Sequence, residues 1–77
     1  MTYGEQAVGL TFNPSGNPDV DRVKQLYAEL IDLCASHRDS LDKGARGERA
    51  RLFSVAITEA QTAQMWAVKA LTWREET

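Results

Sequence analysis

The residues with the most evident chemistry are aromatic and basic side chains that could hold a small anionic ligand. Phe12 and Tyr3 lie in a segment punctuated by glycine and proline, where a ring can stack on a planar base. Lys24 lies next to the apolar seam of the helix that follows, from which it could contact a phosphate. Backbone N–H groups and the helix dipole favour anions at the start of the last helix. Basic residues cluster there: Arg46, Arg49 and Arg51.

Each of these residues also has a purely structural interpretation. Phe12 could pack as a hydrophobic staple over the helices, and Lys24 could be a solvated residue at the edge of its helix. The arginines could pair with nearby carboxylates such as Glu48. Trp66 and Trp73 are expected to serve packing rather than ligand binding. The residue types alone therefore leave both interpretations open.

The sequence contains no arrangement typical of catalysis or of a metal site. His37 is the only histidine and Cys34 the only cysteine, so an intrachain disulfide is impossible and a zinc site is not expected. Cys34 falls on the apolar face of its predicted helix, where we expect a small buried side chain. We therefore predict a protein that is not an enzyme and that holds neither a metal nor a cofactor.

Charge and hydropathy restrict the partners. The net charge is −2, from 9 basic and 11 acidic residues, whereas a protein that binds duplex nucleic acid is usually basic. No run of about 18 apolar residues is present, so we predict no membrane span. The chain shows no secretory signal pattern, and its single cysteine suits a reducing compartment. We expect a cytoplasmic protein.

The pattern of apolar residues predicts an all-α fold, an antiparallel two-helix hairpin with an extended N-terminal arm. Asn17 can cap a helix and Pro18 suits its first position, while Val20, Val23 and Tyr27 begin a heptad-like seam. A short connector between two long helices favours a hairpin. The predicted parts of this single domain, residues 1–77, are an arm over 1–16, helix 1 over 17–41, a connector over 42–47 and helix 2 over 48–74.

Helix 2 carries apolar residues on most of its circumference, which predicts self-association. A surface helix of a monomer has one apolar stripe, but this one has several. A chain of 77 residues cannot cover them alone, because cores of this size are marginal without support. We therefore predict a homo-oligomeric helical bundle. One stripe consists mainly of alanine and would allow close approach of another helix: Leu52, Ala56, Ala60, Ala63, Ala67 and Ala70.

Two segments carry a resemblance to a known family. The first reads TFNPSGNP over residues 11–18 and continues with Val20, Asp21 and Lys24. The second runs over residues 56–70 and ends in AQMWAVKA. Together they resemble the opening and the closing helix of the phage hairpin domain that anti-CBASS sponges share with Thoeris anti-defence sponges. The resemblance covers most of the chain, and its Met-Trp-Ala run is the most specific part.

The resemblance implies a compact homohexamer that captures cyclic nucleotide immune signals in the cytoplasm of an infected bacterial host. Cyclic dinucleotides would bind between two protomers, where an aromatic residue of the arm stacks on a base and a lysine of helix 1 meets the phosphates. Phe12 and Lys24 match these roles best, although the aromatic residue is usually tyrosine in the family. A second pocket, for cyclic trinucleotides, would use an arginine near the end of helix 2, and Arg74 is the nearest candidate.

Two hypotheses of function follow. In the first, the protein is a non-enzymatic sponge that binds cyclic di- or trinucleotides, or cyclic ADP-ribose isomers, without cleaving them. The candidate ligand-binding residues are then Phe12, Lys24, Tyr3, Arg51 and Arg74. In the alternative, the protein is a small helical module that binds another protein and has no nucleotide ligand.

Overall fold

The computed structural model describes residues 1–75, without the side chain of Ala45; residues 76 and 77 of the predicted domain lie outside the described residues. Its regular elements are helical, which confirms the prediction of an all-α chain with a hairpin. The elements are α1 (Tyr3–Val8), α2 (Pro18–Asp39), a short 3-10 turn (Lys43–Ala45) and α3 (Gly47–Leu71). The two long helices are therefore slightly shorter than predicted, since helix 1 was expected over 17–41 and helix 2 over 48–74.

The prediction of an extended arm over residues 1–16 is wrong in its first half, because that half forms α1. Thr2 and Glu5 make a capping box, in which each side chain accepts a hydrogen bond from the other residue's backbone N–H. Gly9 ends the helix in the left-handed conformation, with φ of 63°. The capping box and the left-handed Gly9 therefore delimit a short helix in a segment that was predicted to be extended.

Gly4 allows α1 to lie very close to α2. Its N–H donates to Oδ1 of Asp32 at 2.7 Å. A Cβ atom at this position would overlap the backbone carbonyl of Ala28, so only glycine fits without a backbone shift. The Asp32 carboxylate also lies at the positive end of α1, where an anion is favoured. The arm is consequently fixed to α2 by both shape and charge.

The apolar core lies where α1, α2 and α3 meet, and Ile31 at its centre is fully buried. Its buried members are Val8, Ala28, Ile31 and Ile57. Helix α3 contributes the side of Ile57 and Gln64 to this contact, whereas Ala56, Ala63 and Ala70 of the alanine stripe remain exposed. The predicted stripe is therefore used only in part within the protomer, where Ala60 packs against the core.

The molecule is long and thin, with dimensions of 56 × 25 × 12 Å. Its radius of gyration is 14.8 Å, larger than the roughly 11.5 Å typical of a compact domain of this length. Helices arranged in so thin a layer cannot cover both faces of one another. Large apolar side chains are accordingly exposed on both long helices, among them Leu26, Leu30, Leu33, Leu52, Met65 and Trp66.

Candidate ligand-binding site

Phe12 lies in a tight turn that follows the end of α1. The N–H of Leu10 donates to the carbonyl of Glu5 at 3.0 Å, and the N–H of Phe12 donates to the carbonyl of Gly9 at 2.9 Å. These bonds reverse the chain directly after the left-handed Gly9. The Phe12 ring is 70% exposed. The backbone is thus ordered while the aromatic face remains accessible.

The segment after Phe12 is held by side chains of its own turn. The Asn13 side-chain amide donates to the carbonyl of Asn17 at 2.9 Å and to the Asp21 carboxylate at 3.0 Å. Its oxygen accepts from the Ser15 hydroxyl at 2.6 Å. Asn17 in turn caps α2 by accepting from the N–H of Asp19 at 2.8 Å. The Asn-Pro-Ser-Gly-Asn sequence therefore sets both the direction of the turn and the start of α2.

Lys24 lies beneath this turn and is almost completely buried, with 5% of its surface exposed. Its ammonium donates to the carbonyl of Gly9 at 3.0 Å and also to the carbonyl of Phe12. The nitrogen lies 5.5 Å from the centre of the Phe12 ring, within the range of a cation–π contact. A buried charge is tolerated when it is hydrogen-bonded, and here its partners are the backbone groups of the turn itself.

A cavity of about 730 Å³ opens beside Phe12 and Lys24. It is bounded by the end of α1, by the Phe12 turn and by the last turns of α3, and we call it the arm cavity. Its volume is within the range of small-molecule sites. Besides these two residues, its lining includes Gln6, Gln61, Gln64, Val68, Lys69 and Thr72. An aromatic face, two ammonium groups and three amides suit a ligand that combines planar bases with negative charge.

Of the five predicted ligand-binding residues, the structure brings two together. Phe12 and Lys24 share the arm cavity. Tyr3 is exposed at the start of α1 and does not line that cavity. Arg51 is exposed on the first turns of α3, where its side chain pairs with Glu48 at 2.5 Å. Arg74 follows the end of α3 and is also exposed outside the cavity lining.

The predicted basic cluster at the start of α3 offers a less suitable anion site. The Arg46 guanidinium donates to the carbonyl of Arg38 at 3.1 Å, and Arg51 is paired with Glu48. A shallow depression of about 570 Å³ does lie here, but Glu48 lines it beside Arg49. The carboxylate of Glu48 would oppose an anion in that depression.

Lys69 and Gln64 are cavity residues that the sequence analysis did not identify. The Lys69 ammonium lies 5.3 Å from the Trp66 ring centre and 5.9 Å from the Trp73 ring centre. Trp66 and Lys69 are three positions apart on α3, and Trp73 follows Lys69 by four positions just beyond the end of that helix. This spacing is visible in the sequence. Gln64, which is 5% exposed, lies in a register of apolar residues and gave no comparable signal.

The described residues 1–75 also bear on metal binding and on membrane insertion. No three residues of the types His, Cys, Asp or Glu lie together in that part of the chain as a metal site would require. None of its helices has both the length and the apolar character needed to span a membrane. The arm cavity is therefore the feature with the most complete set of ligand-binding groups.

Comparison with known proteins gives one result, and it concerns the family. The Acb2/Tad1 hairpin domain matches residues 4–72, which include all of α1 except its first residue, the Phe12 turn and both long helices. The chain belongs to the Acb2/Tad1 hairpin domain family. This is the family of phage anti-CBASS and anti-Thoeris sponge proteins, so the predicted family is confirmed. No curated protein and no solved structure matches the chain.

The extent of the Acb2/Tad1 match agrees with the structure. The matched region begins at Gly4, the glycine that allows α1 to contact α2, and ends at Thr72, directly after α3. Every residue that lines the arm cavity falls within it. Arg74, the candidate for a second pocket, lies beyond the matched region. Members of this family are binding proteins rather than enzymes.

Proposed function

We propose that this protein is a non-enzymatic sponge that binds cyclic nucleotide immune signals and withholds them from their effectors. It would act for a phage in the cytoplasm of the infected bacterium. Membership of the Acb2/Tad1 hairpin domain family supports the role. The assignment of the ligand to this site rests on one observation, that Phe12 and Lys24 line the same cavity. Both residues were already candidates on sequence grounds alone.

The proposed binding chemistry combines stacking with charge. A base of the ligand lies on the exposed Phe12 ring, an interaction worth about 1–3 kcal/mol per base. The phosphates lie near the ammonium groups of the cavity, since charge-assisted hydrogen bonds are the strongest polar contacts available. The amides of Gln61 and Gln64 can donate to and accept from base edges. None of these contacts breaks a bond, so the ligand is held intact.

We infer that the two long helices of each protomer are antiparallel. We also infer that the protomers assemble into a homo-oligomer, for which we propose a hexamer. Val20 and Lys24 near the start of α2 share a cavity with Val68 and Thr72 at the end of α3, which supports the antiparallel direction. The exposed leucines of α2 and the exposed Trp66 of α3 support self-association, because monomers rarely expose so much apolar surface. In such an assembly, a neighbouring protomer would close the open side of the arm cavity.

Titration calorimetry with cyclic dinucleotides, cyclic trinucleotides and cyclic ADP-ribose isomers tests the proposal. We expect at least one of them to bind at micromolar protein, and the ligand recovered after heat denaturation to be chemically intact. Native mass spectrometry with and without ligand gives the stoichiometry and the number of protomers. If no ligand of the panel binds, the sponge function is wrong; if the recovered ligand is cleaved, the protein is an enzyme.

The exposed apolar surface also favours the alternative of a module that binds another protein. The two functions differ in the expected behaviour of a Phe12→Ala/Lys24→Ala double variant. A sponge loses its effect on the immune response with this variant, whereas a module that acts through its helix surfaces keeps it. A stoichiometric protein partner together with an active double variant would favour the alternative.

A further inference from the structure

The two lysines of the arm cavity lie in different surroundings. Lys24 is buried, and its ammonium already donates to the carbonyls of Gly9 and Phe12. Lys69 is exposed, and among residues 1–75 no oxygen accepts a hydrogen bond from its ammonium and no carboxylate pairs with it. One ammonium is therefore committed to the backbone, while the other has its donors available.

Lys69 is nevertheless not a randomly placed surface residue. Its ammonium lies close to two indole rings, 5.3 Å from the centre of Trp66 and 5.9 Å from that of Trp73. An aromatic face attracts a cation but does not accept its N–H groups as an oxygen would. The ammonium therefore keeps all three donors for a ligand, and Lys69 itself lines the arm cavity.

We propose that Lys69 supplies the positive charge that contacts the ligand's phosphates, and that Lys24 is a positioning residue. In this division of roles, Lys24 holds the Phe12 turn so that the ring presents its face to a base. Lys69 then approaches the phosphates from α3, on another side of the same cavity. The inference rests on the proposed function and deepens it, because it specifies a phosphodiester-containing ligand and the residue that recognises its charge.

The carbonyl partners of Lys24 explain why it suits the structural role. A phosphate that approached Lys24 would compete with the carbonyls of Gly9 and Phe12 for the same ammonium. If those bonds broke, the turn that carries the stacking ring would lose its support. Lys69 can instead change its partner from two indole faces to a phosphate without loss of any hydrogen bond.

The test compares five single variants, Phe12→Ala among them, with the wild-type protein in titrations with cyclic di-AMP, followed by the tightest-binding ligand of the panel above. We expect Lys69→Gln to bind about 10-fold more weakly, the loss typical of one charge-assisted hydrogen bond. Its affinity should also depend less on salt, because one screened charge pair is missing. Lys69→Arg should retain both properties. Lys43→Gln, which removes an exposed lysine of the connector, is the matched control and should bind as the wild type does.

Lys24→Met separates the two roles, since methionine keeps much of the side-chain length without the donors. We expect a lower melting temperature and weaker binding, but the salt dependence of the wild type. Tryptophan fluorescence gives a second readout, because ligand binding draws Lys69 from the indole rings. The emission change should be present in Lys24→Met and strongly reduced in Lys69→Gln.

The outcomes distinguish this inference from the function on which it rests. If Lys69→Gln binds with wild-type affinity and salt dependence while Phe12→Ala binds weakly, the sponge function stands and the role of Lys69 is wrong. If Lys24→Met removes the salt dependence, Lys24 contacts the phosphates and the inference is also wrong. If the wild type binds no ligand of the panel, both proposals fall. Because Lys69 is exposed, its variants remain informative even if Lys24→Met does not fold.

Discussion

Both ends of the hairpin carry basic residues, but these residues make different contacts at the two ends. At the arm end, the Lys24 ammonium is buried and fixes a backbone turn, and an exposed aromatic ring and a cavity lie beside it. At the connector end, α3 starts without a side-chain cap, and Arg51 pairs with the equally exposed Glu48. Specific hydrogen bonds from side chains to a turn are thus concentrated at the arm end.

The comparison shows that a cluster of basic residues does not by itself indicate a ligand site. Arg46, Arg49 and Arg51 form the densest basic cluster in the sequence, yet a carboxylate accompanies them in the structure. Lys24 and Lys69 lie far apart in the sequence and meet at one cavity. An ordered aromatic ring, a defined cavity and a free ammonium favour the arm end as the ligand site. The following predictions test this preference.

The largest expected effect follows from substitution of Gly4, where α1 contacts α2. The new methyl group of Gly4→Ala would overlap the Ala28 carbonyl, and overpacking of this kind costs about 3 kcal/mol of unfolding free energy. Gly47→Ala at the connector end is the matched control, because its added Cβ would meet none of the described atoms within 4 Å. Urea denaturation followed by circular dichroism measures both. Equal effects of the two substitutions would contradict the tight attachment of the arm.

A smaller loss of stability is expected when the carboxylate that anchors α1 is removed. Asp32→Ala leaves the N–H of Gly4 without its acceptor, at a cost of about 2 kcal/mol for a bond to a charged group. Glu48→Ala removes the exposed partner of Arg51, and surface pairs contribute at most about 1 kcal/mol. The same denaturation experiment ranks the two variants. A larger loss of unfolding free energy for Glu48→Ala than for Asp32→Ala would show that the polar contact at the connector end is the stronger one.

Phe12→Ala should weaken ligand binding while stability changes little. Loss of base stacking lowers the affinity about 10-fold or more. The ring is 70% exposed, so its removal uncovers little of the core. Phe12→Tyr retains the aromatic face and should bind within about two-fold of the wild type. Calorimetric titration measures the affinities, and undiminished binding by Phe12→Ala would exclude stacking on this ring.

The smallest effect is expected for Arg51→Gln at the connector end. Its side chain is 64% exposed and pairs with Glu48, so stability should change by less than about 1 kcal/mol. Ligand affinity should stay the same within the error of the titration. A 10-fold loss of affinity, in contrast, would place an anion site at the start of α3 and would remove the preference for the arm end.

The sequence predicted the long helices well because their signals are local. Apolar spacing, the Asn17 cap and Pro18 at the first helical position are features of neighbouring residues. The signals of α1 were equally local, but Gly4 disfavours a helix and concealed the capping box of Thr2 and Glu5. Glycine is needed at this position because α1 lies against α2 there. Helix propensities describe single residues and do not include such tertiary contacts.

The candidate site was predicted only in part. Phe12 and Lys24 were candidates from their residue types and from the family resemblance, and the structure places both at one cavity. The carbonyl partners of Lys24 come from an earlier segment of the chain, so its structural role could not be read from spacing. Lys69 could have been found, since Trp66 and Trp73 flank it at helical spacing. The role of Gln64 depends on helix packing and required the structure.

The most direct test of the account is the amide NMR spectrum of the protein, recorded with increasing amounts of the cyclic nucleotide that binds most tightly. We expect the largest chemical-shift changes around the arm cavity, at Gly9, Phe12 and Val68. The amides of Gly44 and Gly47 at the connector end should remain unchanged. Shift changes confined to the connector end, or to the exposed face of α2, would contradict the placement of the ligand site in the arm cavity.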